Sequence, residues 1–126
     1  MTEPTPTNPW GAKKQFGDEG LHQEWTGNVV LDPPRPVAWG KWGPKALREW
    51  KSGRVTAMTV VIHDYEVRHP GLVALLPAAT AYCESRPSPG HWRVLLYYGP
   101  DHEKFIAKFA ELGDTRIGGY TVTPDA

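Results

Sequence analysis

One cysteine in 126 residues excludes an internal disulfide and a cysteine-built zinc site, so any bound metal must rely on carboxylate and imidazole ligands. No run approaches the roughly 20 apolar residues of a membrane span, and Met1-Thr2-Glu3-Pro4 lacks the basic and apolar regions of a signal peptide. The expectation is a cytoplasmic protein that does not enter a membrane. Fourteen basic residues balance fourteen acidic ones, and a net charge of zero argues against a strong, indiscriminate polyanion binder. There is no G-x-S-x-G, no P-loop and no H-E-x-x-H, which removes the common serine-hydrolase, NTPase and zinc-protease signatures.

With 40% hydrophobic and 22% charged residues, the chain can build one core. Pro4, Pro6, Pro9, Pro33, Pro34 and Pro36 make residues 1–36 an extended arm, and Trp10, Phe16, Trp25 and Leu31 make that arm too apolar to be idle. Within it, residues 26–31 can form a short strand that the Pro33-Pro34 pair stops. Residues 37–126 form the domain proper. Pro44 in a first turn and Gly53 just beyond predict a short amphipathic helix over 44–51. Val55 to Ile62 and Trp92 to Tyr98 predict strands.

Leu72, Leu75, Leu76, Ala79 and Cys83 recur at helical spacing, which predicts a helix over 71–84 kinked or started by Pro77 and places Cys83 as a small buried hydrophobe. Asp101 caps a second helix bearing Phe105, Ile106, Phe109 and Leu112, with His102-Glu103 in its first turn and Gly113 at its end. A last strand follows over 116–123. The class is α+β: a three- to four-stranded sheet in β-α-β-α-β order with helices packed on it.

Charge is unevenly spread along this plan. Residues 1–34 carry two lysines against five acids, residues 35–70 seven bases against three acids, and residues 71–126 five against six. The basic middle third contains Lys41, Lys45 and Arg48 among Trp39, Trp42 and Trp50, where bases could stack between cations. The same tryptophans can equally fasten the arm to the domain.

Asp64-Tyr65-Glu66 closes an apolar strand, and on a strand residues two apart share a face, so both carboxylates would project together. Magnesium or manganese, hard ions that take oxygen ligands, would relieve their repulsion, with nucleotide phosphates completing the shell. Arg86-Pro87-Ser88-Pro89-Gly90-His91 opens the next apolar strand. Ser88 and Gly90 can offer N–H groups to a phosphate, Arg86 and Arg93 add charge, and His91 can hydrogen-bond a phosphate or ligate a metal. His63 falls on the opposite strand face from Asp64.

The segment from Asp64 to Leu72 followed by Arg86 to Leu95 resembles the catalytic core of the archaeo-eukaryotic primase superfamily, in particular plasmid and phage primase–polymerase domains. Those carry D-x-D or D-x-E at a strand end and then a small-residue loop with a histidine. The resemblance covers about 35 residues. It implies a magnesium- or manganese-dependent nucleotidyltransferase-like site in which Asp64 and Glu66 bind metal and His91 contacts the nucleotide phosphate, with Asp114 as third acid. It implies a nucleic-acid or nucleotide partner and a role in DNA replication on a phage or mobile element, in active or inactivated form. The other reading is a noncatalytic interaction protein, a virion component or accessory inhibitor, docking or self-associating through residues 8–36.

Overall fold

The computed structural model describes residues 2–4, 13–15, 21, 24–33, 38–88 and 91–122; for residues 2–4, 13–15, 64, 65, 86–88, 91 and 92 it describes the backbone alone. Among the described residues the strands and longer helices follow in the order β1 (Thr2–Pro4), β2 (Lys13–Gln15), β3 (Gly27–Leu31), α1 (Trp39–Lys51), β4 (Val55–His63), β5 (Ala81–Ser88), β6 (His91–Tyr98), α2 (His102–Phe109) and β7 (Asp114–Ile117). The class is α+β, as expected, around one mixed sheet in the order β1-β2-β3-β4-β6-β5-β7. Five strands, β3 to β7, form its body; two three-residue strands extend the β3 edge. The sheet therefore exceeds three or four strands, and the order β-α-β-α-β is replaced by β3-α1-β4-β5-β6-α2-β7.

β3 and β4 are parallel, joined by the α1 crossover, whereas β4–β6, β6–β5 and β5–β7 are antiparallel. Trp25, Val29 and Leu31 are fully buried in the main core. β4 is buried on both faces along most of its length, which explains its near-continuous apolar run. On one face α1 covers Val29, Leu31, Met58, Val60, Ile62, Leu96 and Tyr98. On the other, α2 covers Ala57, Ala81, Cys83 and Tyr97 through Phe105.

α1 is longer than the 44–51 expected and carries Pro44 inside it. Its buried positions Trp39, Trp42, Gly43, Lys45, Ala46 and Glu49 recur at steps of three and four along one stripe. Pro44 lacks only the N–H that would reach Gly40, a cost this packed stripe offsets. All backbone contact at its start is close: a Cβ on Gly43 would fall on the carbonyl oxygen of Gly71, and one on Gly71 on that of Trp39.

The largest departure from expectation lies between β4 and β6. No α-helix spans 71–84; residues 64–68, 70–72 and 76–78 are short 3-10 turns, and β5 begins at Ala81. Pro70 and Pro77 each sit in the first turn of a 3-10 segment. Downstream, Ala81, Cys83 and Ser85 are buried while Tyr82 and Glu84 are half-buried, the period of two that a strand imposes. Cys83 is fully buried, as expected, though on a strand.

The turns are held to the sheet by Tyr98, whose O–H donates to the Leu75 carbonyl at 2.6 Å in a fully buried setting. Burial pushes the Tyr98 phenol well above its ordinary value of 10.0. The folded pKa lies above the unfolded one, so this contribution is present below the ordinary phenol pKa and is lost as pH rises beyond it. Tyr98→Phe is expected to cost about 1–2 kcal/mol in urea denaturation at neutral pH, because the Leu75 carbonyl loses its donor. The variant should also lose stability less steeply at alkaline pH than the wild type.

Candidate functional site

Parallel strands β3 and β4 run toward the same end, β4 continuing to His63 past the Leu31↔Val60 pair, and the space beyond the carboxyl ends of such strands is where ligands bind in open sheets containing βαβ units. The pairs His63↔Arg93 and Arg93↔Ser85 run across the sheet at this end. Beyond His63 the chain enters the Asp64–Arg68 turn; beside it, the β5–β6 hairpin closes with Ser88 opposite His91. The fold therefore brings the Asp64 segment and the Arg86 to Arg93 segment to one end of neighbouring strands. The first turn of α1, with exposed Lys41, lies at the same end, because the crossover helix starts where β3 stops.

The local geometry differs from the expected strand end. Asp64 and Glu66 lie on a 3-10 turn, where positions two apart differ by about two-thirds of a turn rather than sharing a face. Glu66 closes a reciprocal cap: its Oε1 accepts the His63 backbone N–H at 3.1 Å, and the His63 imidazole accepts the Glu66 backbone N–H. His63 Nε2 faces Asp32 Oδ1 at 3.5 Å across the β3–β4 pair. His63 thus faces Asp32, and Arg93 stands opposite His63 in the register of the neighbouring strand. His63, expected on the strand face opposite Asp64, and Asp32, which no motif marks, carry one sequence signal between them: each directly follows or ends an apolar strand.

Three candidate residues stand elsewhere. Asp114 opens β7 opposite Glu84, three strand positions from β4. At about 4.8 Å per strand that is about 14 Å, too far to complete a metal shell with the β4 end. Its neighbourhood is a shallow cavity of about 420 Å³ lined by Glu84, Leu112, Gly113 and Asp114. Lys45 is only 6% exposed and pairs with Glu49 at 3.3 Å, so its ammonium is not presented to a phosphate backbone. Arg48 is exposed but lies about 10 Å further along α1 than Lys41, away from the strand ends. The tryptophans near them are packed, not open for stacking: Trp39 and Trp42 are buried, and Trp50 meets Tyr98 edge-on at 5.9 Å.

The side chains of Asp64, Arg86, Ser88 and His91, and all of Gly90, lie outside the described residues, as do Trp10 and Phe16 of the arm. Among the described residues no three His, Cys, Asp or Glu side chains gather closely enough to hold an ion, and no helix is long and apolar enough to cross a membrane. Comparison with known proteins finds no matching family model, no similar curated protein and no matching solved structure.

Proposed function

We propose that the protein binds a nucleotide or a nucleic-acid phosphate at the carboxyl end of β3 and β4, between the Asp64–Arg68 turn and the β5–β6 hairpin, as a primase-like core would. The observation that supports this reading is the adjacency of β4 and β6 with His63 opposite Arg93. Two segments about 25 residues apart in the chain, each suited to metal or phosphate, would otherwise have no reason to meet. Arg93, exposed beside them, supplies a cation for a phosphate oxygen. Magnesium or manganese would be held by Asp64 with phosphate oxygens in the remaining positions, Glu66 being turned back to the His63 N–H, and His91 would contact the phosphate. With Asp114 distant, nucleotide binding is better supported than two-metal phosphoryl transfer.

Calorimetric titration with manganese and a nucleoside triphosphate is the test. Saturable heat is expected for the wild type, with affinity reduced at least about tenfold in Asp64→Ala and in Arg93→Ala. Absence of heat from the wild type would overturn the reading.

A further inference from the structure

β7 is the outer strand of the sheet among the described residues, and it is short, exposed and charged with one residue of each sign. Asp114 and Arg116 are exposed on one face; Ile117 is 63% exposed and Leu112, just before the strand, 55%. The Gly118 N–H donates to the Thr80 carbonyl at 2.7 Å. In the register Ala81↔Ile117, Tyr82↔Arg116, Cys83↔Thr115, that bond fixes the alternation: Arg116 and Asp114 bond inward to β5. Thr115 and Ile117 consequently turn their N–H and C=O toward the open edge.

We propose that β7 pairs antiparallel with β7 of a second copy of this chain, with Thr115 on the two-fold axis. This register uses the outward groups: Thr115 exchanges both backbone hydrogen bonds with Thr115 of the other copy. It also places Asp114 of each copy directly opposite Arg116 of the other, in the non-hydrogen-bonded positions where side chains approach closest. Both members lie on the same face, so the two-fold generates two opposite-charge pairs. On the other face Ile117 lies over Gly113 of the second copy, which offers no side chain to obstruct it. A charge on an edge strand ordinarily blocks pairing; here the spacing of one acid and one base about Thr115 makes the edge complementary to itself. Such a two-fold contact is closed and ends at the dimer.

Sedimentation velocity on the full chain over a concentration series tests this, with circular dichroism confirming that each variant is folded. The wild type is expected to show a reversible monomer–dimer equilibrium. Asp114→Arg and Arg116→Asp, each converting both pairs to like charges, should weaken it at least about tenfold, and the double variant Asp114→Arg/Arg116→Asp should recover it to within about threefold. A wild type that stays monomeric up to about 1 mM would overturn the proposal. Single reversals without effect, or a double variant as weak as the singles, would overturn it equally.

Discussion

Glu49→Ala is expected to remove about 3–5 kcal/mol of folding stability, the largest loss from any single change among the charged residues described. Glu49 is 3% exposed in the last turns of α1, and its carboxylate holds three groups at once. Its Oε1 accepts the Trp25 backbone N–H at 2.7 Å and an Arg54 N–H at 3.0 Å, and its Oε2 meets Lys45 Nζ at 3.3 Å. Lys45 in turn lies 5.5 Å from the centre of the Trp25 ring, which stacks on Trp42. Truncation would take from a buried ammonium and a buried backbone N–H the carboxylate that accepts from both, and losing one partner of a buried charge pair is what makes such losses large. Arg54→Ala should cost about 1 kcal/mol or less, since that side chain is 40% exposed. Equilibrium urea denaturation of both variants checks the contrast.

The same carboxylate gives the fold an acid limit. Burial alone would raise the Glu49 pKa, but the Trp25 N–H, Arg54 and Lys45 together outweigh it and hold the carboxyl below its ordinary value of 4.5. A folded pKa below the unfolded one means that this stabilisation is fully present above the ordinary value and disappears as pH falls through the folded one. The wild type should therefore lose stability on acidification more steeply than Glu49→Ala.

Gly43→Ala comes next, at about 3 kcal/mol, and for a purely steric reason. A methyl group there meets the Gly71 carbonyl oxygen, which is backbone and cannot rotate away, so the 70–72 turn must lift off α1. Gly40→Ala, three residues earlier on the same helix, is the control. Its nearest atom would be 4.0 Å away on the His69 ring, and alanine in place of an exposed helical glycine should stabilise by up to about 1 kcal/mol. Thermal unfolding of the pair separates close backbone contact from helix propensity, since propensity alone makes both substitutions favourable.

These contacts also show which parts of the fold were legible in the sequence. β4, β6 and α2 carry clean periodicity and lie within a few residues of where it predicts them: strands over 55–62 and 92–98 against Val55–His63 and His91–Tyr98. β3 was visible as Val29, Val30 and Leu31 before a proline pair. What hid β5 was composition. Ala81, Cys83 and Ser85 are small because α2 presses on that face, and small residues carry little β signal. Leu72 through Cys83 happens to satisfy a helical repeat as well, and only the tertiary contact decides between them. β7 is shorter than the 116–123 expected because the backbone leaves the sheet at Gly118, in a positive-φ conformation (114°), to carry Tyr120 under the 76–78 turn.

The candidate site was legible as two sequence segments but not as a geometry. That D-x-E closes an apolar run is plain, yet the switch from strand to 3-10 turn depends on the reciprocal cap between His63 and Glu66, which reads as nothing in particular in one dimension. The Asp32–His63 contact spans 31 residues and exists only because β3 and β4 are parallel neighbours. The distance of Asp114 from the site follows from strand order, on which sequence spacing carries no information.

Cys83 lies beneath α2 with its Sγ 3.7 Å from the Phe109 carbonyl oxygen, and burial, with Asp114 and Glu84 nearby, pushes its thiol above the ordinary value of 9.0. Reaction at sulfur needs an accessible thiolate, and here access and ionisation both wait on the same event, the parting of α2 from β5. The lone thiol is therefore a clock for local opening: its rate of modification counts how often that helix leaves the sheet, independently of whether the α1 side of the molecule stays closed.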